Sequence, residues 1–302
     1  MEMVNPGSAL MMTDETNVFT TMPTVTPVIE WIKVNPVFPL ASLDDSNVIE
    51  FYIPGSSMEF LQLSRIKLVT EGQVRKSDGT ALLAADAKKV GLASNIHHGQ
   101  FCNLEVSVQE VVIQNTNNLF HHQTYIQQMI NNDKQTIESE LSISGFYLDT
   151  PGQFDNLDPA KNKAVKQRDA LIKDGKTFTL TRTLMANIVD QHKLLIPSCS
   201  LRIKLMRNDQ KHILVTAAGS ETDYKYKLTA IKLLVPRVRL SSEATMAVEN
   251  ILRKSPGAKY QIERIANSYI SIPSGASSAI YEGIYSGEFL PSSQASKQTR
   301  TV

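Results

Sequence analysis

The sequence predicts an all-β fold with helices inserted into long connections, and three observations carry that reading. Short segments rich in Val, Ile, Leu, Tyr and Thr recur between turn signals. Several of them alternate with a period of two. Helical spacing is confined to a few stretches, most of them between such segments. At 302 residues the chain suits one large β domain or up to two ordinary ones, and it is long enough to bury a core without staples.

Residues 1–27 mix Thr, Met, Pro and Asn without a period, and they read as an extended or disordered N-terminal arm. The strand segments then follow at Val28 to Lys33, Val48 to Ile53, Arg65 to Thr70, Leu104 to Ile113, Thr177 to Met185, Leu201 to Arg207, Ile213 to Thr216 and Tyr224 to Val235. In TFTLTRTLM, Phe178, Leu180 and Leu184 face a core while the threonines face out. Arg182 interrupts that inner face and reads as a strand edge whose guanidinium reaches solvent. Phe51, Leu68, Val106, Phe178, Leu180, Ile203, Leu205 and Leu233 are the expected inward positions.

Two segments change phase midway. Leu104, Val106 and Val108 hand over to Val111 and Ile113, and Tyr224, Tyr226 and Leu228 hand over to Ile231, Leu233 and Val235. One extra residue in each strand, a β-bulge, accounts for this. Two packed faces without a bulge account for it nearly as well.

Three stretches have helical spacing. LDPAKNKAVKQRDALIK begins with Asp158 as N-cap and Pro159 at the first helical position, and reads as a charged surface helix. Thr124 to Asn132 sets Ile126 and Ile130 on one face. From Ser242, a helix carrying Met246, Ile251 and Leu252 is expected to pack on the sheet, with Arg253 and Lys254 in its last turn and Gly257 as its stop.

Composition excludes several classes of function. A hydrophobic share of 42% and a charged share of 20% rule out collagen, a coiled coil and a wholly disordered chain. Thirty-one basic against 30 acidic residues leave no global field to draw in nucleic acid or an anionic membrane, so such binding has to be local. The most basic stretch, Lys161 to Lys176, is the one place for it, with Lys161, Lys163, Lys166 and Arg168 as the residues able to touch phosphates weakly. A solvated face or interface rim is its commoner use. No run of eighteen apolar residues suggests a membrane span, and Glu2 followed by Asp14 and Glu15 does not suit a signal peptide.

Catalytic patterns are missing in the same way. Cys102 and Cys199 lie far apart without CxxC or Cys/His spacing. The doublets His97-His98 and His121-His122 cannot each chelate one metal, because adjacent side chains oppose on a strand and diverge by about 100° on a helix. They, His192 and His212 read as loop or core-edge histidines. No GxSxG elbow occurs, and Gly55 to Ser57 reads as a turn rather than a phosphate loop. No residue is assigned a catalytic, cofactor-binding or metal-binding role, and no enzyme activity is expected.

The wording of five ordered segments then becomes informative. VIEFYIPGSSMEFLQLSRIKLVTEGQV, Val48 to Val74, resembles a segment of the capsid proteins of Polinton/Maverick elements and related adintoviruses, where an apolar strand, a Pro-Gly turn, an aromatic and L-S-R-x-x-L follow in that order. Thr124 to Gly152, Thr183 to Asp209, Ala258 to Gly275 and Tyr281 to Pro291 are similar to that family in the same order, so the likeness covers nearly all of residues 28 to 291. It implies a viral jelly-roll sandwich, eight strands in two sheets, whose work is self-assembly, as a trimer or pentamer and with other capsid proteins, into the virion shell, with the host nucleus or cytoplasm as its place during assembly.

It also suggests a partition: 1–27 the arm, 28–240 the jelly roll, 241–257 a linking helix, 258–291 the strands of a partial second jelly roll or an extension, and 292–302 an unstructured tail. The residues do not decide between a major, hexon-like subunit and a minor, penton-like one; Ile262 to Ile272 and Ile280 to Phe289, which repeat a strand, Pro-Ser-Gly turn, strand order, favour the major. A carbohydrate-binding or adhesion module is the leading alternative, because jelly rolls also carry sugar sites. Its usual aromatic platform has one tryptophan to draw on, Trp31, which an alternating strand is expected to bury. A cupin-like oxygenase would need His-x-His followed by Glu, a pattern the histidines do not make.

Overall fold

The computed structural model describes residues 29–254 apart from 45, 84, 85, 87, 88 and 221, together with 257–260, 262 and 265. The N-terminal arm, most of 258–291 and the tail therefore lie outside the described residues.

Among the described residues eleven strands form: β1 Ile29–Val37, β2 Val48–Ile53, β3 Glu59–Leu61, β4 Lys67–Lys76, β5 Val90–Leu92, β6 Phe101–Val108, β7 Val111–Asn115, β8 Phe178–Thr183, β9 Leu201–Arg207, β10 Leu214–Thr216 and β11 Tyr224–Leu240. One sheet has the order β1-β11-β4-β8, with β3 also pairing β11. A second has the order β2-β9-β6-β7, and β10 pairs β5 apart from both. Every pairing is antiparallel.

With the short β3 left out, eight strands make up the two main sheets, and the first pairs with the last, the second with the next to last, the third with the sixth and the fourth with the fifth. A long hairpin rolled on itself gives this order, which is that of a jelly roll. The fold is all-β, a jelly-roll sandwich with helical insertions.

Period-two alternation positions the core. Ile49, Phe51 and Ile53 from β2, Leu201, Ile203 and Leu205 from β9, Leu104 and Val106 from β6, Leu68 and Val74 from β4, Phe178 and Leu180 from β8, and Ile231, Leu233 and Val235 from β11 meet in one cluster. All eight expected inward residues are buried. The phase change in β11 is a bulge: Leu228 faces Gly72 and Ala230 faces Glu71, leaving Thr229 over. Gly72 is required there, since a Cβ would fall inside the Tyr226 ring. Pro236, which has no N–H to donate, sits where β4 has left β11 at Leu234 and β3 joins it at Arg237.

The other phase change has a different cause. Leu104 to Ile113 is two strands joined at Val108↔Val111 by a two-residue turn, with Gln109 and Glu110 both at positive φ. That is the backbone of a tight hairpin, built without the usual Asn-Gly signal.

Among the described residues five α-helices form: α1 Ile96–Gly99, α2 Phe120–Asn131, α3 Lys134–Ser139, α4 Lys163–Ile172 and α5 Ser242–Lys254. Three differ from expectation. α4 starts at Asn162, whose Oδ1 accepts the Ala164 N–H at 3.2 Å. Asp158 closes a separate turn, its carbonyl accepting N–H groups from Lys161 and Asn162. The helix is not a solvated rod, because Ala164, Val165, Arg168 and Ile172 are buried.

α2 begins four residues earlier than expected, and its apolar side faces outward. Gln123, Thr124 and Gln128 point inward, while Ile126 and Ile130 are 51% and 76% exposed. Its inner face is tied by hydrogen bonds: Asn95 Nδ2 donates to Thr124 Oγ1 and Gln128 Nε2 donates to Asn95 Oδ1, both at 2.9 Å.

α5 packs on the sheet through Ala244 and Val248, against Phe60, Val238 and Leu240, leaving Met246 and Ile251 in solvent. Beyond it the chain returns to the sandwich. Tyr260 and Ile262 join the main core, and the Tyr260 hydroxyl donates to the Leu194 carbonyl and accepts the Ile196 N–H, each at 3.0 Å.

Candidate functional site

The basic stretch separates into two kinds of residue. Lys161, Lys163 and Lys166 are exposed. Arg168 is 1% exposed, and its Nη2 lies 2.6 Å from Asp149 Oδ1 while Nη1 donates to Asp149 Oδ2 and the Tyr147 carbonyl. Arg168 is thus a buried ion-pair partner that ties α4 to the segment before it, and it cannot reach a phosphate. Beside it, Asp169 has a buried, unpartnered Oδ1, and burial pushes its carboxyl up to about 6 against the opposing pull of Arg168.

Arg182 is also corrected. It is half-buried, with Nη1 enclosed and unpartnered, and its charge acts on His97 and His98.

The histidines gather in two groups. His97 and His98 are fully buried with ring centroids 4.7 Å apart. His121, His122 and His212 form a second group, with centroid separations of 4.0, 4.9 and 6.4 Å. Sequence spacing did not reveal this trio, since His212 arrives from the 3-10 turn after β9. Among the described residues no set of three or more His, Cys, Asp or Glu is arranged to hold a metal, and both cysteines are free thiols. Trp31 is half-buried in the edge strand β1.

What the surface does offer is exposed hydrocarbon. The outward side of α2 presents Ile126, Met129 and Ile130, and that helix contains no Asp, Glu, Lys or Arg. β1 exposes Ile29, Ile32 and Val34, and the β6–β7 hairpin exposes Val111 and Val112. A cleft of ≈ 320 Å³ lies where the loop after β1 crosses the β11 bulge, lined by Phe38, Leu43, Val69, Glu71, Ala230 and Ile231. Single exposed apolar residues are ordinary, but adjoining ones on a helix face or an edge strand mark contact surfaces. Among the described residues no helix is long and apolar enough to cross a membrane.

With this geometry in view, comparison with known proteins adds the following. No protein-family model matches the sequence, and no curated protein does. Among solved structures the chain is similar to the PBCV-1 virus capsid in its quasi-atomic form, at 10% identity and a TM-score of 0.48, covering 81% of this chain and 49% of that one. It is similar to a chain of the Sputnik virophage at 11% identity and 0.47, covering 80% and 53%. It is also similar to the mavirus major capsid protein at 10% identity and 0.41, covering 79% and 52%. The chain spans about half the length of these proteins.

Proposed function

We propose that this chain is a structural capsid subunit of a Polinton/Maverick-type double-stranded DNA virus or integrated element, and that it works by self-association without catalysis. The observation that carries the reading is the strand order, a hairpin of eight strands rolled into two sheets, whose interior buries Phe51, Leu68, Leu104, Leu205 and Leu233. The ordered likeness of five segments to that capsid family supports the narrower assignment. In this reading residues 28–240 form the shell-building barrel, 241–257 link it onward, and the packing of Tyr260 and Ile262 on the barrel core begins the approach of a further unit. The virion is where the protein acts.

The outward face of α2 is the contact surface we assign first. A helix that hydrogen-bonds its polar side inward and turns isoleucine outward gains nothing as a monomer, whereas burying Ile126 and Ile130 against another subunit contributes up to about 1.5–3 kcal/mol each. Mass photometry and negative-stain microscopy of the purified full chain test the proposal. Discrete oligomers or shells are expected, reduced by the double substitution Ile126→Asp/Ile130→Asp with the circular dichroism spectrum unchanged. A full chain that stays monomeric at high concentration overturns it, and glycan-array binding by such a monomer would favour a sugar-binding module.

A further inference from the structure

Five of the chain's six histidines converge on the first turn of α2. His121 and His122 belong to that turn, and His212 reaches it from the 3-10 turn Gln210–His212. His97 and His98 lie beneath it on α1, with the His98 ring 5.9 Å from that of Phe120. Both ring nitrogens of His98 and of His121, and Nδ1 of His97, are buried without a hydrogen-bond partner. His97 Nε2 meets the Leu68 carbonyl at 3.1 Å.

The groups facing this cluster are poorly suited to hold a proton there. β8 brings the Arg182 cation, with the Leu180 and Thr183 carbonyls as weaker counter-pulls. Glu140, the carboxylate on this side, acts on Arg182. β6 brings Cys102, a thiol that burial pushes up and keeps neutral. On the turn carrying His212, Lys211 and Asp209 pair with each other at 3.6 Å. From within α2 come uncharged Gln123, Thr124 and Gln128. The turn is also the positive end of a twelve-residue helix, where cations are disfavoured.

We propose that the first turn of α2 is an acid-operated latch, seated on the barrel while these histidines are neutral and released when they take up protons. Released side chains take protons at the ordinary histidine value, about 6.5. In the seated state burial holds His97 and His121 down at about 4 and His98 well below its ordinary value, with neighbouring positive charge adding to the effect. The seated form therefore has its full stability above about pH 6.5 and loses it as pH falls towards about 4, because the released form binds more protons. At pH 5, His97 alone multiplies the ratio of released to seated molecules by on the order of 30-fold. Repulsion within the outer trio acts in the same direction.

Hydrogen exchange of the full chain at about pH 7.5 and about pH 5, corrected for the intrinsic rate, tests the latch whether or not the chain assembles. Amides of 119–131 should lose protection at least about tenfold at the lower pH while those of β2 and β9 keep theirs. Unchanged protection in α2, or equal loss throughout the barrel, overturns the proposal. The double substitution His122→Gln/His212→Gln, at exposed positions, should move the loss to lower pH, and an unmoved midpoint overturns the part assigned to the outer trio. A ring titration by NMR supplies a further check. His97 and His98 should take protons only as α2 loses protection, and titration near 6.5 with α2 still protected would overturn it.

Discussion

The space between the two sheets and the space beneath α2 and α4 are both buried, yet the second adds a network of polar contacts to its hydrocarbon, which includes Phe120, Val165 and Ile172. Between the sheets, Phe51, Leu68, Leu104, Ile203 and Leu233 meet as hydrocarbon. Beneath the helices lie Asn95, Gln123, Thr124, Gln128, His97, His98 and the Arg168–Asp149 pair. Hydrocarbon burial is non-directional and tolerates adjustment, whereas a buried polar contact has its full worth only when every partner is present. The barrel is thus a scaffold with many redundant contacts, and the helical connection is a set of specific ones that can be undone singly.

Substitutions can break or sharpen that contrast. The largest effects should be equal in size and different in kind. Phe51→Ala should cost about 3–5 kcal/mol in urea unfolding as a cavity opens, and Asp149→Ala about 3–5 kcal/mol because Arg168 is left charged and buried. The contrast appears in the rescue: Arg168→Met combined with Asp149→Leu should recover most of that loss, whereas no second change around Phe51→Ala restores the missing volume without repacking. If the double replacement is as damaging as the single one, the pair is more than a compensated charge.

A middle-sized effect, about 1–3 kcal/mol, is expected for Gln128→Ala, which strips Asn95 Oδ1 of its donor. The loss should fall mainly on α2, read by exchange of its amides, and a uniform loss over the sheets would join the two regions into one cooperative unit. The smallest effect has the opposite sign. Asp169 is held up at about 6 by burial, so its penalty is absent below the unfolded value near pH 3.8 and grows as pH rises through about 6. Asp169→Asn should therefore stabilise the protein by about 1 kcal/mol at neutral pH, an estimate reduced for its partial exposure. The gain should vanish below about pH 4, and equal thermal midpoints for both proteins at neutral pH would refute it.

The same contrast explains what could be read in the amino-acid order. β2 and β9 were recoverable to the residue because strict alternation is a local property, and the β11 bulge was recoverable because Leu228 and Ile231 bracket it. The β6–β7 turn was not, since Gln109 and Glu110 are unusual residues for positive φ and the ladder imposes it on them. The inward face of α2 was not legible, because amphipathic spacing says that two faces differ and not which one lies inward; Asn95, some thirty residues away, pairs with the polar one. Arg168 looked like part of a solvated charge run for the same reason, its partner Asp149 being invisible as a neighbour in a one-dimensional reading.

The rolled hairpin also has a consequence in time. Ile29 pairs with Leu240, so the barrel strand β1 is made well before its partner β11. About 200 residues separate them, which at ~5–20 residues per second is about 10–40 s of synthesis. Throughout that interval β1, with Ile29, Ile32 and Val34 along it, is a strand without a neighbour, and the sheet that contains it cannot close from its N-terminal side. Loop closure of this length also slows folding once the chain is free. Newly made chains therefore spend their most adhesive period while crowded on the same message, and a chaperone that binds the emerging Ile29–Val37 segment would raise the yield of folded subunits more than one that acts on the finished chain.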